Sequence, residues 1–174
     1  MSIVDVETAI RTWLVAGTGV PLERVFWAAQ GVPRPSTTPY VVMSLGETSA
    51  RGRWVTHRAA ASPVPGADIE TVAQSAETVT LSVQLIGGGA CGAAAARELL
   101  TKAVRRLGLP GQRAAFRAVK VGVGTIGPVR AVPAPLHATV FEPRAVLEVR
   151  LHLTGEATEL TTYIEFATAE GTVT

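Results

Sequence analysis

The run Gly87-Gly88-Gly89-Ala90-Cys91-Gly92 has the spacing G-x-G-x-x-G. In dinucleotide-binding proteins such glycines turn the chain tightly and let backbone approach a pyrophosphate at a helix N-terminus. Here the run lies between a strand-like and a helix-like segment, as that chemistry requires. Three features weigh against it. The preceding stretch, Glu77 to Ile86, alternates polar and apolar residues, whereas a central parallel strand is apolar on both faces. No carboxylate occurs from Lys102 to Phe141, so the acid that would bind a ribose is missing. No βαβ pattern follows. A turn that folds the helix back on the sheet is the more economical reading. A P-loop is excluded because no Gly-Lys-Ser/Thr follows.

Other chemistry-bearing residues are dispersed. His57, His137 and His152 lack metal-ligand spacing, and Cys91 is the one cysteine beside them. A helix start can lower the pKa of Cys91, but a catalytic thiol also needs a histidine nearby. Glu142, Glu148, Glu156 and Glu159 fall along alternating segments, which suits solvation or ion pairing better than paired acid–base work. No catalytic, cofactor-binding or metal site is expected.

At 174 residues the chain is most simply one domain, residues 1–174, able to bury roughly 70% of its unfolded surface. Sixteen basic and 14 acidic residues give a net charge of +2, a weak argument for a nucleic-acid partner. Only Lys102 and Lys120 among the basic residues are lysine; arginine suits bidentate pairing at interfaces, and a GC-rich coding bias gives the same excess. One cysteine allows no internal disulfide and suits a reducing compartment. The first residues carry Asp5 and Glu7 and no basic leader, so no signal peptide is expected. No apolar run approaches the ~18 residues of a membrane span.

The elements follow from periodicity. Residues 2–16 read as a helix with Ile3, Val6, Ile10, Trp13 and Leu14 on one face, capped by Ser2 and ended by Gly17 and Gly19. Val25–Trp27 and Tyr40–Leu45 read as strands around a stiff connector with Pro33, Pro35 and Pro39. Residues 48–76 have weak periodicity and few large apolar groups. They read as an extended arm or β-hairpin that packs on a neighbour, or as a basic segment with one aromatic that tracks a nucleic-acid backbone. Residues 77–86 form a strand with Val79, Leu81, Val83 and Leu85 inward. Residues 90–107 form a helix on Ala96, Leu99, Leu100, Ala103, Val104 and Leu107, and a shorter helix covers 111–118. Residues 120–132 are β-rich, 144–153 alternate again, and Tyr163 to Ala167 suggest a last strand. Strands and helices do not alternate regularly. The expected class is α+β: a mixed, mostly antiparallel sheet of five or six strands packed by two or three helices.

Trp13-Leu14 ending the first helix, Val25-Phe26-Trp27, Pro33-Arg34-Pro35, Pro39-Tyr40 opening a strand, and Pro143-Arg144-Ala145 leading into an alternating one form a pattern. It resembles the tailed-phage neck or tail terminator (tail completion) family over roughly the whole chain. The chain departs from that pattern between about residues 130 and 142, which are proline-rich. The resemblance implies a structural virion protein, not an enzyme, without cofactor or membrane contact. Its partners would be further copies in a ring of six, the tail tube protein and the head–tail connector proteins, with DNA near by in the lumen. The ring would cap the tube, end tail polymerisation and present the head-joining surface at the virion neck, after assembly in the host cytoplasm. A neck adaptor or head-completion protein is the alternative, and a small nucleotide-binding enzyme using Gly87–Gly92 a third reading. Arg51, Arg53 and Trp54 are expected to contact a neighbour or the tube, and Arg34 to stand at a contact surface. Arg144 is expected either in an ion pair with Glu142 or Glu165, or at an interface.

Overall fold

The computed structural model describes residues 3–30, 38–64, 67–88, 91–132, 134–137 and 140–161. Helix α1 (Ile3–Thr18) buries Val6, Ile10, Trp13 and Leu14, the stripe its sequence spacing sets. It runs past Gly17, which the sequence suggests as a terminator. A Cβ at Gly17 would stand 2.6 Å from the Ala103 Cα, so this glycine lets a second helix approach closely. The helix stops at Gly19, whose φ of +73° favours glycine. The Ser2 cap lies outside the described residues.

Strands β1 (Val25–Trp27) and β2 (Tyr40–Leu45) pair in parallel. The prolines Pro33 and Pro35 between them lie outside the described residues; the Thr38–Pro39 bond is cis. Strands β3 (Ser49–Val64) and β4 (Ala67–Ile86) form a long antiparallel hairpin. The expected arm at 48–76 is therefore a hairpin, and the strand expected at 77–86 is the far end of β4. Helix α2 (Ala93–Leu107) buries Ala96, Leu100, Ala103 and Leu107. Helix α3 (Pro110–Ala118) starts on a proline whose φ suits a first helical turn, and buries Phe116. Then come β5 (Val121–Ile126), β6 (Arg130–Ala131), β7 (Ala134–His137), β8 (Val140–Glu142) and β9 (Arg144–Thr161).

The main sheet is organised by β4 and β9, antiparallel in unbroken register from Ile69↔Thr161 to Ile86↔Arg144. The other edge of β4 carries β2 and then β3, with the Gly46 amide bonded to the Thr80 carbonyl at the break between them. The other edge of β9 carries β5 and β6. That makes seven strands, slightly more than expected, because the described side chains of β3 from Ser49 to Arg58 and those of β6 are exposed and show no apolar pattern. Strands β7 and β8 pair separately. The class is α+β.

Val79, Leu81, Val83 and Leu85 of β4 and Ala145, Leu147, Val149, Leu151 and Leu153 of β9 join the buried stripes of the helices in one core. Trp13 ties the helices together. Its indole N–H donates to the Ala103 carbonyl at 2.8 Å, and its ring meets Phe116 edge-on at 6.2 Å between centroids. Strand β9 runs eight residues beyond Leu153, the last large buried side chain of its alternation. The last strand expected near Tyr163 lies outside the described residues.

Candidate assembly surface

Beyond the core the three long strands continue as an arm: β3, the 69–77 half of β4, and residues 154–161 of β9. Its cross-strand rows follow from the register: Trp54, Gln74 and Glu156; Thr56, Val72 and Thr158; Arg58, Glu70 and Leu160. One face holds these nine residues. The opposite face sets Arg53, Val55 and His57 beside Ser75, Ala73 and Thr71, then Gly155, Ala157 and Glu159. Residues 51–58 are all exposed, and Val72 is the one buried side chain among the described residues of β4 from Ile69 to Glu77. Trp54 is 44%, Val55 58% and Leu160 52% exposed. Three strands need an apolar face against something to be stable on their own. Here both faces are open.

Polar contacts across the strands hold the arm. The Trp54 indole N–H donates to Gln74 Oε1. Arg58 Nε donates to Glu70 Oε2 at 2.7 Å, which holds the Glu70 carboxyl below its ordinary range and the guanidinium above its own. Lys120, at the root of the arm with φ 58°, pairs with Glu156 and lowers that carboxyl too. His57 Nδ1 lies 3.0 Å from the Thr71 hydroxyl.

The structure brings Arg51, Arg53 and Trp54 together on β3, all exposed. Arg34 lies outside the described residues. Arg144 stands at the opposite end of β9, about 40 Å along the strand from Glu156 at ~3.3 Å per residue. Its guanidinium donates to Glu142 Oε2 at 2.9 Å and to Gln84 Oε1 at 3.3 Å. Glu142 is 6% exposed, so this ion pair is internal to the subunit. The sequence reasoning missed residues 154–161 as a strand and Lys120 as a partner. The Thr/Glu-rich stretch carries strand propensity at its threonines but buries no apolar face, so its period does not show.

Gly89 and Ala90 of the glycine run lie outside the described residues, and the setting of the rest is unlike that of a dinucleotide-binding turn. Strand β4 lies between antiparallel neighbours, β2 and β9, unlike the parallel sheet of a dinucleotide fold. The Gly87 amide donates to the Pro143 carbonyl at 2.7 Å, and a Cβ there would fall 2.2 Å from the Cys91 carbonyl oxygen. The glycine serves close backbone packing. Burial pushes the Cys91 thiol up, with the Gly88 backbone contact opposing, which outweighs the lowering a helix start can bring. Among the described residues no group of three His, Cys, Asp or Glu is placed to hold a metal. No described helix is long and apolar enough to cross a membrane.

The described residues form a seven-stranded sheet with a packed helical face, extended into an arm whose described side chains are mostly exposed or half-buried. The sequence profile of phage neck terminator proteins matches residues 4–174, and the chain belongs to that family. No curated protein matches it. Neck terminators are structural components of the virion and not an enzyme class, and a neck position brings contacts with other tail and neck proteins.

Proposed function

We propose that residues 1–174 act as one unit that assembles into a ring of six on the last ring of the tail tube. The ring ends tube polymerisation and presents the surface that receives the head connector. The observation that carries this reading is the arm: strands β3, β4 and β9 extend beyond the core with Val72 alone buried from Ile69 to Glu77. Ring subunits meet head-to-tail through unlike surfaces, and an arm of this kind offers both an exposed apolar surface and strand edges. Arg51, Arg53 and Trp54 are the proposed contacts with a neighbour or the tube, and Arg34 a second contact point. Arg144 is assigned a structural role at the base of the sheet. In the ring the arginines of β3 also stand close enough to the lumen to meet DNA weakly.

Negative-stain microscopy and light scattering on the purified protein, alone and with tail tubes, test the ring. A monomer that fails to cap tubes refutes it. Deleting the gene tests the step: tails of uncontrolled length support termination, whereas tails of normal length that cannot join heads assign the protein to the adaptor role instead.

A further inference from the structure

Resting on that ring, we infer that its arms join edge to edge: the outer edge of β9 in one subunit pairs with the outer edge of β3 in the next. Among the described residues no strand covers the far side of β3, and β5 leaves β9 at Leu153. Among the described residues both edges therefore present rows of backbone donors and acceptors that no strand pairs, seven residues or more in length, or about 23 Å, beginning at Gly155 on β9 because the Thr154 amide still bonds to the Lys120 carbonyl. Their charges are opposite. Residues 51–58 hold Arg51, Arg53 and Arg58 and no carboxylate; residues 154–161 hold Glu156 and Glu159 and no cation.

Two basic β3 edges repel each other, and so do two acidic β9 edges. The unlike pair alone is favoured, which selects head-to-tail contacts over a two-fold dimer. Direction follows from the topology. Strands β3 and β9 are both antiparallel to β4, so they are parallel to each other. Rotation about a ring axis preserves that sense, and the new pairing is parallel. Arg53 and Glu159 stand on the same face of the sheet in the observed register, as side chains that meet across an edge must. Arg58 and Glu156 already have partners inside the subunit, in Glu70 and Lys120. Arg51 sits at the register irregularity between Ala50 and Gly52, which leaves Arg53 and Glu159 as the pair in regular register that faces the neighbour.

The test compares wild type, Arg53→Glu, Glu159→Arg and the double swap by sedimentation over a range of concentrations, each variant first shown to melt at the wild-type temperature. Like charges facing across the edge should raise the concentration for half-assembly at least about tenfold in each single variant. The swap should return it to within about threefold of wild type. Amides of 51–58 and 154–161 should also exchange more slowly in the ring than in the free subunit. Wild-type rings with unaffected single variants, or a swap that restores nothing, overturn the edge pairing and leave the ring standing. Wild type that never assembles, even on tubes, removes the ring and this inference together.

Discussion

Gly17→Ala separates a helix read from its sequence from a helix read in its packing. In an exposed helix the change from glycine to alanine stabilises by about 1 kcal/mol through backbone entropy. At Gly17 the new Cβ would lie 2.6 Å from the Ala103 Cα and 2.7 Å from its Cβ, distances that force α1 and α2 apart. Overpacking of this kind costs about 1–3 kcal/mol. The strain falls beside the Trp13–Ala103 hydrogen bond, worth a further ~0.5–1.5 kcal/mol if the helices separate. The net expectation is a loss of about 1–3 kcal/mol, or a fall in Tm of about 3–10 °C for a chain of this length. Gly111→Ala in α3 is the control, because a Cβ there meets nothing within 4 Å. It should raise Tm by about 1–3 °C. Thermal unfolding followed by circular dichroism reads both. If Gly17→Ala raises Tm as the control does, the close approach of α1 to α2 is wrong.

Glu142→Gln leaves the half-buried Arg144 guanidinium without its carboxylate and should cost about 1–3 kcal/mol in urea unfolding, discounted for the partial exposure of Arg144; an unchanged midpoint would show the pair to be idle. The arm should loosen in acid. Glu70 and Glu156 have folded pKa values below the ordinary 4.5, so their contribution is present above that value and is lost as pH falls from it through the lowered pKa. Acrylamide quenching of Trp54, the exposed tryptophan, should rise below pH 4.5 in the wild type and less steeply in Glu70→Gln; a flat response down to pH 3 contradicts this. Cys91 should react with a disulfide reagent at pH 8 more slowly than free cysteine, since its thiol is raised by burial; faster reaction would reverse that assignment.

What the sequence determined by itself was whatever buries a periodic apolar face. The stripes of α1 and α2, the inward sets of β4 and β9 and the α+β class were legible because burial imposes a period of 3.6 or 2 on residue type. The pattern around Trp13, Val25–Trp27 and Pro39–Tyr40 likewise pointed to the family whose profile matches residues 4–174. The arm was legible as an interruption of that periodicity. Its third strand was not, because Gly155 to Leu160 bury nothing within the subunit and so carry no alternation. Only the tertiary structure decided that Gly17 separates two helices instead of ending one, and that Gly87 packs against the Cys91 backbone instead of approaching a phosphate. Tertiary structure alone also matched Lys120 with Glu156 and Arg58 with Glu70. These contacts join residues that strand pairing brings together, and a one-residue slip in register would place them on opposite faces. The spacing of residues along the chain holds no record of that register. The backbone hydrogen bonds and the core beneath them set it.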